Sequence, residues 1–130
     1  MVALPDGAVV VRGGIQRDAA IILEGLSLVV SVGKPAVLSV FAMAPSSGQG
    51  SDACTLAVCR EAGLKNGQVQ VSSAGRLRAA GFELADERSE NESWCHYHVY
   101  FQAPVQQSTV RSWVDCFDDP IPNPGRGGSD

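Results

Sequence analysis

Much is scarce in this chain of 130 residues, and each scarcity removes a class of protein. The four cysteines, at 54, 59, 95 and 116, include no Cys-x-x-Cys pair and follow no secretory segment, so a disulfide framework is not indicated. Long apolar runs are missing too. The most apolar stretch, residues 19–32, carries Glu24, Gly25 and two serines, and is too short and too interrupted to span a bilayer. The opening Met-Val-Ala-Leu-Pro-Asp-Gly has neither the basic start nor the apolar middle of a signal peptide, which makes the cytoplasm the expected compartment. Positive charge is in the minority, ten Lys and Arg against fourteen Asp and Glu, for a net −4 at pH 7. That balance opposes attraction to phosphate backbones and anionic lipid, so neither nucleic acid nor membrane is an expected partner. Also absent are a strand-flanked Gly-x-Gly-x-x-Gly, a Walker loop and a Gly-x-Ser-x-Gly elbow, and no cofactor is expected.

What is present is an ordinary globular composition, 45% hydrophobic and 18% charged, at the size of one domain. A turn at Pro5-Asp6-Gly7 leads into a β-branched strand, residues 8–12, which Gly13-Gly14 breaks. Ile15, Ala19, Ile22, Leu23, Leu26 and Val30 then recur at helical spacing, and Gly33 is placed to end that helix. Residues 36–43, apolar at nearly every position, predict a central strand buried on both faces. After the loop 45–50, Ser51 is the candidate cap of a helix reaching Ala62 and closed by Gly63. Cys54 and Cys59, about 140° apart around that helix, read as small buried side chains.

Residues 69–72 alternate as a strand, Ser73 caps a short helix over 74–80, and 82–85 reads as another strand. A polar connection, 86–93, joins it as a hairpin to a return strand over 94–101. Val110, Trp113, Val114 and Phe117 form the i, i+3, i+4, i+7 stripe of a last helix with Ser108 as its cap, and the prolines at 120, 122 and 124 forbid its continuation. The expected fold is α+β, a single domain over 1–117 in the order β-α-β-α-β-α-β-β-α. Its sheet is expected to be mixed, with about five strands, parallel at helical crossovers and antiparallel at the hairpin. A disordered Pro/Gly-rich tail is expected over 118–130.

His96-Tyr97-His98 is the leading candidate for chemistry, because in a strand residues 96, 98 and 100 share a face and bring two imidazoles to the Tyr100 hydroxyl. Such a pair suits proton transfer near neutral pH, or metal ligation if Cys116 or a carboxylate joined it, or simply an exposed polar strand face. No metal is assigned. Arg12 beside Gly13-Gly14 at a strand end suits an anion, the alternative being a tight turn with a solvated guanidinium. Ser39, on the central strand, completes the catalytic candidates. Arg76 and Arg78, two apart and therefore splayed across a helix surface, are candidates for contact with phosphate or an acidic partner, with plain exposed charge as the alternative. Trp94 and Tyr100 complete the binding candidates, Trp94 as an interface anchor.

Four blocks resemble the pattern of a group of short uncharacterised bacterial proteins: Val11-Arg12-Gly13-Gly14, Leu38-Ser39-Val40-Phe41-Ala42, the run from Gly75 through Leu77-Arg78-Ala79-Ala80-Gly81-Phe82, and Asp119-Pro120-Ile121-Pro122-Asn123-Pro124. That resemblance implies no activity. A looser one, to ADP-ribosyltransferase-type toxins, places Arg12 and Ser39 in the first two catalytic positions, while no Glu occupies the third on strand 94–101. The incomplete catalytic set favours a small protein-binding module, of accessory, antitoxin or immunity type, with a protein partner; the sequence assigns no oligomeric state. The alternative is a small toxin-type enzyme acting on RNA or a nicotinamide nucleotide through Arg12 and His96 or His98.

Overall fold

A computed structural model of the chain describes residues 4–86 and 94–127. It is an α+β domain. Five strands, β1 (Val9–Gly13), β2 (Ala36–Met43), β3 (Gln68–Ser73), β4 (His96–Phe101) and β5 (Ile121–Pro122), make one open sheet in the order β4-β2-β1-β3-β5. The helices between and after them are α1 (Ala19–Ser31), α2 (Ser51–Ala62), α3 (Ala74–Ala79), α4 (Gln107–Asp115) and α5 (Pro124–Gly127).

The sheet is antiparallel at every pairing, not mixed. β2 and β3 do run in the same direction, but β1 lies between them and pairs antiparallel with both, Val10 opposite Ala42 on one side and Ser72 on the other. The crossover through α2 therefore steps over a strand and never creates a parallel neighbour. The strand expected over 82–85 is reduced to one bridge, Ala85 with His98, while Phe82 turns inward against Phe101 and Trp113 at ring separations of 5.5 and 5.3 Å. Residues 87–93, most of the expected hairpin connection, lie outside the described residues.

Two cores follow from the alternation of the strands. On one face Val10, Val40, Ala42, Val99 and Phe101 pack with Leu26 of α1, Leu77 of α3, and Val110 and Trp113 of α4. On the other, Val9, Val11 and Val69 pack with Cys54, Val58 and Cys59 of α2. Trp113 and Val110 are fully buried and Phe117 nearly so, as the stripe on the last helix predicts.

Helix starts differ from expectation, at α1 with a side-chain cap and at α2 and α4 without one. α1 begins after Asp18, whose carboxylate accepts from the Ala20 and Ile21 amides at 3.0 and 3.4 Å, and Ile15 stays outside the helix, 59% exposed. Gly50, not Ser51, precedes α2, and Gln106, not Ser108, precedes α4. Ser73 does cap α3, accepting from the Arg76 amide at 3.2 Å.

Residues 118–127 carry β5 and α5 and pack against the domain. The Asp118 amide donates to the Val71 carbonyl at 2.8 Å, and β5 adds an edge strand beside β3, a place where proline is tolerated because its missing N–H faces away from the ladder. Asn123 is 4% exposed and holds three bonds: Nδ2 donates to the Leu64 and Asn66 carbonyls at 3.0 and 2.9 Å, and Oδ1 accepts from the Gly125 amide at 2.9 Å. α5 then covers the outer side of α2, so close that a Cβ on Gly125 would stand 3.0 Å from Cys59 Cβ. Residues 128–130 lie outside the described residues.

Candidate functional site

The pairing of β2 with β4 brings several of the candidate residues together. Phe41 stands opposite His96, Ser39 opposite His98, and Val37 opposite Tyr100. The His96 ring stacks on Phe41 with centroids 5.0 Å apart and planes 26° off parallel. His98 meets His96 edge-on at 4.8 Å, and Tyr100 meets His98 edge-on at 6.2 Å. Ser39, His96, His98 and Tyr100 thus share one sheet face, as the strand spacing predicts.

Arg12 is on the other face. It alternates with Val11, which packs against α2, and belongs with Val10 in the layer beneath α1 and α4. Its Nη1 donates to the Ser39 carbonyl at 2.8 Å, a backbone contact that says nothing of the Ser39 hydroxyl. Nε is buried without a hydrogen-bond partner among the described residues, and burial pulls the guanidinium pKa down from its ordinary value to about 10. One small ligand cannot touch both Arg12 and the histidines, because the sheet itself stands between them.

The neighbourhood of Arg12 is tied by polar bonds with structural roles. Gln70, its partner across β1 and β3, is 2% exposed; Oε1 accepts from the Gln16 amide and Nε2 donates to the Asp118 carbonyl at 3.0 Å. Ser72 Oγ donates to the Cys116 carbonyl at 2.6 Å, and Trp113 Nε1 to Gln16 Oε1 at 3.4 Å. These bonds fasten the loop after β1 and the segment after α4 to β3. Arg76 and Arg78 fasten other parts, pairing with Asp118 and Asp6, both at 2.8 Å.

Metal chemistry gains nothing from this arrangement. Among the described residues no three His, Cys, Asp or Glu are placed to hold an ion, and Cys116 is buried in the core on the face opposite the histidines. Burial pushes the thiols of Cys54, Cys59 and Cys116 above their ordinary pKa, which keeps them protonated and inert at neutral pH. A cavity of about 410 Å³ that touches Tyr100 is lined by Gly81, Phe82, Phe101, Pro104 and Thr109 among others and, among the described residues, offers no carboxylate, imidazole or amine.

A different surface stands out. Ile21, Leu28 and Val32 are 68%, 66% and 64% exposed, the three most exposed large apolar side chains among the described residues. Ile21 and Leu28 lie on one stripe of α1 with Gly25 between them, and Val32, the C-cap, extends that line just past the helix end, over ~17 Å in all. The helix buries Leu26 and leans Ile22, Leu23 and Val30 on the core, so it is apolar on two sides. That second stripe was legible in the spacing 21, 25, 28, 32; the core-facing one at 19, 22, 23, 26, 30 simply drew attention first. Trp94 and Tyr100, at 52% and 47% exposure, are the half-exposed aromatics of the β4 region.

Comparison with protein-family models, curated proteins and solved structures gives no match. No helix among the described residues is long and apolar enough to cross a membrane.

Proposed function

We propose that this chain is a protein-binding module that works through the outer face of α1. The observation that carries the reading is the contiguous stripe of Ile21, Leu28 and Val32, two-thirds exposed on a helix whose opposite side already serves the core. Single exposed leucines are ordinary on soluble proteins, whereas an aligned apolar strip along three turns marks a contact surface. α1 is held rigidly for such a role, capped by Asp18 at one end and closed by Gly33, at φ +83°, at the other.

A toxin-type enzyme needs an anion-binding Arg12 and a proton-transferring His96 or His98 on one ligand, and their positions on opposite faces count against it.

The test compares affinity-tagged wild type with an Ile21→Lys, Leu28→Lys double variant after chemical cross-linking in the host. Both positions are exposed, so the variant should keep its far-UV spectrum and melting temperature. Loss of the cross-linked species in the variant supports the reading, and identical adducts in both reject it.

A further inference from the structure

Building on that docking face, we propose that its occupant is a second copy of this chain, with the two α1 helices antiparallel about a two-fold axis next to Gly25. Asp18, Ile21, Gly25, Leu28 and Val32 are spaced three, four, three and four apart, the repeat that keeps one seam of a helix against one partner. Antiparallel alignment of that seam with itself sets Ile21 opposite Val32 of the second copy and Gly25 opposite its Leu28. A leucine meets the residue with no side chain.

Gly25 has no role inside its own domain that explains it. A Cβ there would meet nothing within 4 Å, and glycine inside a helix is less stable than alanine. A notch for Leu28 of the second copy gives it one.

Charge selects the antiparallel arrangement over the parallel one. Asp18 and Lys34 are both exposed and bracket the stripe at its two ends. Antiparallel helices bring Asp18 of each copy toward Lys34 of the other and oppose the two macrodipoles, whereas parallel helices would set Asp18 on Asp18 and Lys34 on Lys34. Glu24, the one charge along the stripe, falls opposite Val29 of the second copy and not opposite itself, and keeps its carboxylate at the rim. An isologous contact of this kind closes as a dimer and does not propagate. The strip is narrower than a standard interface of about 800 Å² per partner, which puts the dimer at the weak, micromolar end.

Sedimentation velocity across a concentration series tests the proposal. The wild type should pass from the 13.6 kDa chain to twice that mass as concentration rises toward millimolar. Gly25→Leu fills the notch at a position where a Cβ meets nothing of its own domain within 4 Å, and Lys34→Glu reverses one end charge; each should raise the dissociation constant roughly tenfold or more. Gly25→Ala serves as the folding control, expected to melt higher than wild type. A wild type that stays monomeric throughout, or a dimer that Gly25→Leu leaves unchanged, overturns the proposal. A monomeric wild type that still loses cellular adducts through Ile21→Lys, Leu28→Lys removes the second copy alone and leaves the protein-binding reading in place.

Discussion

The Arg12 guanidinium donates to the Ser39 carbonyl at 2.8 Å from the face of the sheet opposite the Ser39 side chain. This contact is all that links two residues expected to cooperate in catalysis, and it makes Arg12 a buried charge without a carboxylate. Burial pulls its pKa down to about 10, so the charged form is disfavoured in the folded chain. That penalty is complete below about pH 10 and is relieved only as pH rises above that value. Arg12→Met, which keeps the length and drops the charge, should therefore leave stability at pH 7 unchanged or raise it, by up to about 2 kcal/mol in urea unfolding. A loss of similar size would mean that Arg12 is compensated by a group this account has missed.

The histidine pair is expected to serve packing. His96→Ala removes the stack on Phe41 and should cost about 1 kcal/mol of stability. Host growth under overexpression of wild type and of the His96→Ala, His98→Ala double variant should be the same. A burden specific to the wild type would revive the enzyme reading.

Asn123 fastens the C-terminal segment through three bonds, and Asn123→Ala leaves two loop carbonyls and the Gly125 amide without it. A loss of roughly 2–4 kcal/mol is expected in equilibrium unfolding. Truncation after Phe117 should be more damaging still, since it uncovers Cys59 and the edge of β3. Unaltered stability in either would mean that this segment is dispensable.

All four cysteines are buried and outside any disulfide, so Ellman's reagent should react slowly with the native protein and fully only in denaturant. Because burial raises the folded thiol pKa of Cys54, Cys59 and Cys116, their contribution to stability is fully present below the unfolded thiol value of 9.0 and is lost as pH rises above it toward the raised folded values. Unfolding midpoints measured from pH 8 to 10 should fall across that window.

The elements were legible where one periodicity dominated. β2, apolar at nearly every residue, and the Val110, Trp113, Phe117 stripe of α4 appear where spacing puts them. Strand direction was not legible, because nothing local in residues 36–43 or 68–73 records that β1 would sit between them. The packing of the C-terminal segment was not legible, because Pro120, Pro122 and Pro124 forbid helix without forbidding an edge strand, and only the fold brings Leu64 and Asn66 to Asn123. Of the site, the shared face of His96, His98 and Tyr100 followed from alternation, whereas the separation of Arg12 from them depends on which face of β1 meets which helix.

A photo-crosslinking amino acid placed at position 28 reads the α1 face most directly. Inserted there, and at exposed Gln102 as a control, it is irradiated in living cells and the adducts are resolved by mass. An adduct from position 28 with none from 102 is the expected result; no adduct from 28, or equal labelling at both, would contradict a role for α1 as the contact surface.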